Sequence, residues 1–95
     1  MARAVWNGVV VAESDDTIVV DGYTYFPRTS VDPGLIRPSD HTSVCGWKGT
    51  ASYYDVVVGD AVNPEAAWFY PEPKDDAKHV TDRVGFWHGV EIEAP

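Results

Sequence analysis

Short runs of apolar and β-branched residues, broken every few positions by glycine, proline or acidic turns, set the rhythm of this chain. Residues 3–6 and 9–12 flank Asn7-Gly8, a strong signal for a two-residue hairpin. A single strand bent at Gly8 is the other reading of that stretch. Residues 13–16 make a polar turn and 17–20 a β-branched strand. Asp21-Gly22 is a second two-residue turn before a strand over 23–26, which Pro27 ends. The first quarter therefore reads as a meander of short antiparallel strands.

Residues 30–36 break that rhythm. Ser30 and Asp32 favour a single helical turn, which Pro33-Gly34 cuts short, or else a plain β-turn. Leu35 and Ile36 then enter the core, and residues 37–43 form a polar connection, extended in part. The clearest strand in the chain is Tyr53-Tyr54-Asp55-Val56-Val57-Val58. Gly59-Asp60 turns it and Val62 resumes. Residues 66–70 form another strand, ended by Pro71-Glu72-Pro73. Residues 74–81 are the one helical candidate, with Asp75 and Asp76 in the first turn and Ala77, Val80 and Val84 to one side. Residues 83–87 are a late strand or helix end, and 90–92 a short final strand.

No strand alternates with a long helix, which argues against a parallel doubly wound sheet. Many short strands with regular turns predict an all-β domain: a small antiparallel barrel or folded sheet with one short helix near the C-terminus. Neither an internal repeat nor a linker interrupts residues 1–95, which read as a single domain.

Composition narrows the partners. Fifteen acidic residues against seven lysines and arginines give a net charge of -8. With no basic stripe to neutralise phosphates, nucleic acid is not the expected partner, and an anionic membrane surface is disfavoured too. No apolar run approaches membrane-spanning length and no signal-peptide pattern opens the sequence. The single Cys excludes an internal disulfide and points to a thiol in a reducing compartment. The expected location is cytoplasmic.

The candidate chemistry gathers around Cys45-Gly46-Trp47-Lys48-Gly49. Lys48, placed between aromatic and glycine residues, is suited to hold an anionic ligand or, if desolvated, to act as a nucleophile or base. It is equally suited to lie over Trp47 in a cation–π contact. Cys45 is either a nucleophile, with His41 as the nearest base in sequence, or a small buried apolar residue. His41, His79 and His88 lack metal-ligand spacing. Tyr53 and Tyr54 must face opposite ways on their strand, and Tyr70 shares the side of Trp68. These aromatics pack a core or line a ligand cavity. Arg28, just after the Tyr25-Phe26-Pro27 strand end, is a candidate anion partner or a solvated surface residue.

Taken together, Asn7-Gly8-Val9-Val10-Val11-Ala12-Glu13-Ser14, Tyr25-Phe26-Pro27, Cys45-x-Trp47-Lys48-Gly49-x-Ala51-x-Tyr53-Tyr54, Ala67-Trp68-x-Tyr70-Pro71-x-Pro73 and Phe86-Trp87 resemble the DUF427 family across essentially the whole chain. That family comprises small, mostly bacterial and fungal proteins of unknown function, sometimes labelled nucleotidyltransferase-like. The resemblance implies a tent-like all-β fold of the Mss4-like kind. Many tent-like domains hold a structural zinc on four cysteines, a set that one Cys cannot provide. The nucleotidyltransferase label finds little support in the residues. There is no Walker-type loop, and the adjacent pairs Asp15-Asp16 and Asp75-Asp76 look like turn and helix-start residues. No metal or cofactor is expected.

These features predict a domain that binds a small anionic or aromatic ligand in a pocket walled by Trp47, Tyr54 and Trp68, with Ala67-Trp68-x-Tyr70 and the Tyr25-Phe26-Pro27 strand end as walls of the Cys45–Gly49 stretch. Lys48 and Arg28 would meet negative charge, with Cys45 nearby; any catalysis would fall to Lys48 or Cys45. The alternative is a non-catalytic interaction module or homodimer docked through exposed aromatics. A third reading takes the nucleotidyltransferase label literally.

Overall fold

A computed structural model describes all 95 residues. The Asn7-Gly8 hairpin forms as the sequence predicts: β1 (Ala2–Trp6) and β2 (Val9–Ser14) pair antiparallel. Asn7 and Gly8 take φ values of 50° and 76°, the left-handed pair that matches the twist of the flanking strands. Asp21-Gly22 repeats the device between β3 (Ile18–Val20) and β4 (Tyr23–Pro27), with φ of 54° and 83°. The chain continues through β5 (Ile36–Cys45), β6 (Gly49–Val58), β7 (Ala61–Phe69), β8 (Arg83–Phe86) and β9 (Glu91–Glu93). Two antiparallel sheets result. One has the order β2-β1-β9, the other β3-β4-β8-β7-β6-β5. The all-β expectation is met.

Three local readings need correction. Residues 37–43 are not a connection but the middle of the ten-residue strand β5. It is a sheet edge, mostly exposed, so no apolar alternation marks it. Pro38 is tolerated there because an edge strand has a free side. Second, Val62 and residues 66–69 belong to one strand, β7, which runs through Pro64. The ladder slips between Tyr54 and Val56; Glu65, at φ 57°, donates its backbone N–H to the Asp55 carboxylate at 2.9 Å. A side chain thus replaces a ladder carbonyl and the strand continues. Third, the C-terminal helical segment is a six-residue 3₁₀ segment, Asp75–Val80, kinked at Ala77. The earlier helical candidate holds one 3₁₀ turn, Pro33–Leu35, and a second, Arg28–Ser30, ends where it begins; Asp32 rather than Ser30 caps Pro33–Leu35 through Gly34 N–H.

The period of two along each strand divides the apolar residues between the faces of the six-stranded sheet. One face meets the smaller sheet. Phe26, Val56, Ala67, Val84 and Phe86 pack there against Ala2, Ala4, Val11 and Ala12. Tyr25 and Trp68, next in sequence to Phe26 and Ala67, fall on the other side with Ala51, Tyr53 and Tyr70. That second face has no sheet over it. Ala77 and Val80 of the 3₁₀ segment cover part of it, and the remainder opens to solvent as a cavity. No helix is long and apolar enough to cross a membrane.

Candidate functional site

The cavity is built on a single cross-strand row. Tyr25 pairs with Gly85, Gly85 with Trp68, and Trp68 with Tyr53, spanning β4, β8, β7 and β6 in register. The Trp68 indole lies across Gly85 so closely that a Cβ there would sit 2.6 Å from the indole ring. The indole Nε1–H donates to the Tyr25 hydroxyl at 3.1 Å. Tyr23 stands edge-on to Trp68 with ring centroids 4.9 Å apart, and Trp87 meets it at 5.3 Å. Trp87 is pinned by its Nε1–H to the Glu65 carbonyl at 2.6 Å, and Tyr53 by a 2.8 Å hydroxyl contact with Ser43. These edge-on contacts and hydrogen bonds fix the rings beyond what area burial alone does.

Lys48 closes the row at one end. It projects from the β5–β6 turn and is only 5% exposed. The turn itself is clamped: Lys48 carbonyl accepts from Lys74 N–H at 2.8 Å, and the Lys74 ammonium reaches the Gly46 carbonyl at 2.8 Å. At φ 118°, Gly49 passes beneath the Glu72 carbonyl. The Lys48 ammonium lies 2.7 Å from Asp21 Oδ2, 5.1 Å from the Trp47 ring centre and 5.8 Å from that of Tyr70. Tyr23, Tyr25, Lys48, Tyr53, Trp68, Tyr70 and Trp87 enclose about 140 Å³.

The charges respond to one another. Burial pulls the Lys48 ammonium down, but the Asp21 hydrogen bond and nearby negative groups outweigh it, so its pKa lies above the ordinary lysine range. The hydrogen bond from Lys48, aided by Trp47, holds the Asp21 carboxyl below the ordinary carboxylate range against some desolvation. For Cys45, desolvation pushes the thiol up, while the backbone N–H groups of Lys48 and Trp47 and the Lys48 charge pull it down; the net shift is downward. Burial drives the Tyr70 hydroxyl well above the usual phenol range, with Tyr25, Cys45 and Tyr53 adding to it.

Asp21 sits on the tip of the β3–β4 hairpin beside Tyr23, so its ion pair latches that tip over the cavity. A depressed Asp21 pKa stabilises the latch above the unfolded carboxylate value and loses it as pH falls through the folded one. A raised Lys48 pKa stabilises it below the unfolded lysine value and loses it as pH rises through the folded one. The latch is therefore whole at neutral pH and opens in acid. Amide hydrogen exchange at residues 20–23 should accelerate there beyond its intrinsic pH dependence, and Asp21→Asn should reproduce the loss at neutral pH. Unchanged protection in the variant would show that the ion pair does not hold the tip.

Of the sequence candidates, Lys48 and Trp68 meet in this cavity, with Tyr53 and Tyr70 of the aromatic group. Trp47 flanks it from outside, 40% exposed and stacked on His79 at 6.1 Å. Cys45 packs behind it against the Tyr70 side. His41 lies on Tyr53 at 4.7 Å and faces Glu65, with no hydrogen bond to Cys45. Arg28 and Tyr54 are not brought here. Tyr54 faces the other way, stacked on Phe69 at 4.8 Å, and the Arg28 guanidinium stands 5.8 Å over the Tyr54 ring. The Tyr25-Phe26-Pro27 strand end does supply a wall, through Tyr25, while Tyr23, Trp87 and Asp21 are not among the residues expected from sequence. The alternation Tyr23-x-Tyr25 is a usable signal for the first; nothing local marks Asp21, because its partner is 27 residues away in sequence. No group of three or more His, Cys, Asp or Glu residues comes together to hold a metal ion.

Fold and site define a small all-β protein with one face of its larger sheet covered and an aromatic, lysine-ended cavity on the other. The profile of the domain of unknown function family DUF427 matches residues 1–94, and the chain belongs to that family. Among curated proteins none matches it.

Proposed function

We propose that this protein binds a small planar molecule, a single ring with an anionic substituent, in the cavity ended by Lys48. The observation that carries the reading is a buried ammonium whose only carboxylate partner, Asp21, is half exposed on a hairpin tip. An incoming anion can take the place of Asp21 without leaving a buried charge unpaired. The size agrees, since a cavity of about 150 Å³ accommodates a benzene ring. The surrounding rings supply stacking surfaces, and the Tyr25 hydroxyl, which accepts from Trp68, keeps its own proton to donate.

Benzoate and 4-hydroxybenzoate are suitable probes, with benzamide as the neutral counterpart. The acids should shift the indole N–H resonances of Trp68 and Trp87 and change tryptophan fluorescence, and benzamide should do so more weakly. Indole signals indifferent to all three at millimolar concentration would sink the reading. A second reading, docking of another chain, draws on the free edge of β5, where Val44 is 80% exposed. Sedimentation that depends on protein concentration would favour it.

A further inference from the structure

Of the four arginines, Arg3, Arg37 and Arg83 each hold a carboxylate. Arg28 holds none, on a chain whose net charge is -8. Its guanidinium is not adrift. It is half-buried, its Nη1 donates to the Val31 carbonyl at 3.4 Å, and its plane lies over Tyr54. The backbone fixes it as well: Arg28 N–H donates to the Asp82 carbonyl at 2.7 Å, and Pro27 pairs with Arg83 across β4 and β8. Two arginines therefore stand side by side at the ends of neighbouring strands.

They share two adjoining hollows. The first, about 230 Å³, has an apolar wall that includes Tyr54, Phe69, Pro71 and Val84, and it touches the Lys48 cavity through Tyr70, which lines both. The second, about 380 Å³, is polar and adds the Thr29 and Thr81 hydroxyls to the two guanidinium groups. Asp82 lines both hollows and makes no ion pair with either arginine. Arg83 is tied to Asp16 through Nη1 and Nη2, which leaves Arg28 as the member of the pair without a counter-ion.

We infer that these hollows form a second binding site, for a phosphate monoester of a planar aromatic group. The ring would lie in the hollow walled by the Tyr54–Phe69 stack. The phosphate would sit in the trough between Arg28 and Arg83. The Arg28 guanidinium, free of any carboxylate, can meet phosphate oxygens two at a time; Arg83, tied to Asp16, adds its charge, and the threonine hydroxyls offer donors to the remaining oxygens. A carboxylate would occupy one fork and leave the hydroxyls unused, which is why the phosphate ester is the better fit. This site shares none of its charged groups with the Lys48 cavity, so it stands or falls separately.

The test is a residue-resolved NMR titration of the intact protein with 2-naphthyl phosphate, 2-naphthol and 2-naphthoate. The phosphate ester should shift the amides of Arg28, Thr29, Tyr54 and residues 81–84, and 2-naphthol should bind at least about tenfold more weakly. Arg28→Gln should weaken the ester by about tenfold or more, and Arg28→Lys by less, because a charge without the fork remains. Thermal melts of both variants establish that they are folded. Thr29→Val, at an exposed position, gives an independent check and should weaken the phosphate ester more than 2-naphthoate. Equal binding of ester and naphthol, equal binding of ester and naphthoate, or an Arg28→Gln protein that binds like the wild type would each overturn the assignment. So would shifts confined to the Trp68 and Trp87 indoles.

Discussion

Gly85→Ala is expected to destabilise the protein by about 2–3 kcal/mol, even though it adds only one methyl group. Alanine ordinarily suits a strand better than glycine, by up to about 1 kcal/mol. Here the new Cβ would stand 2.6 Å from the Trp68 ring. The indole cannot simply swing aside. Tyr25 holds its Nε1–H, and Tyr23 and Trp87 press on it from 4.9 and 5.3 Å. Either the ring leaves its position and breaks the cross-strand row, or β8 moves away from β7. For a domain of this size the loss corresponds to a drop in melting temperature of roughly 10–20 °C. Near-UV circular dichroism should lose intensity in the same variant, because the tryptophan environments become less fixed. A Gly85→Ala protein with wild-type melting and an unchanged aromatic spectrum would mean that the contact is not a constraint.

Lys48→Met should act in the opposite way: little change in stability and a large change in binding. Methionine keeps the length and apolar stem of lysine and fills the same space between Tyr70 and Trp47. The partner left behind, Asp21, is already half exposed and can be solvated at small cost. The stability change should therefore stay within about 1 kcal/mol. The variant offers an entering anion no cation. A hydrogen bond to a charged group contributes about 1.5–3 kcal/mol, so benzoate affinity should fall by roughly 10- to 150-fold while benzamide affinity hardly moves. Fluorescence titrations of both ligands against both proteins measure the difference. Equal losses for acid and amide would assign Lys48 a shaping role rather than a charge-binding one.

The parts of this structure that announce themselves in the sequence are those governed by neighbours in the chain. Asn7-Gly8 and Asp21-Gly22 adopt the left-handed pair that only such residues accept readily, so both hairpins are readable from two letters each. The split between Tyr53 and Tyr54 is fixed by strand period, but which of the two enters the cavity is not. That depends on the register against Trp68, a pairing set by the slip at Asp55 and Glu65. The edge strand β5 is invisible for the opposite reason: exposed on most positions, it carries no apolar signature. Arg28 and Lys48 read as partners in the sequence because both are cations near aromatics. The sheet separates them, since Tyr54 and Tyr53 point to opposite faces and each cation goes with a different one. Gly85 shows no local reason to be glycine at all. Its necessity comes from Trp68 on the next strand.

The position of β8 has a consequence for the order in which the molecule can assemble. Within the larger sheet, β3 and β4 touch the β5–β6–β7 meander only through β8, which lies between β4 and β7. The two hairpins of the first 27 residues and the central meander are local and can form as soon as they are synthesised. The β3–β4 hairpin and the meander stay unjoined in that sheet until residues 83–86 arrive near the end of the chain. A nascent polypeptide lacking those four residues thus presents two open sheet edges, one on β4 and one on β7, and an incomplete aromatic row. Closure of the sheet and completion of the cavity are a single late event.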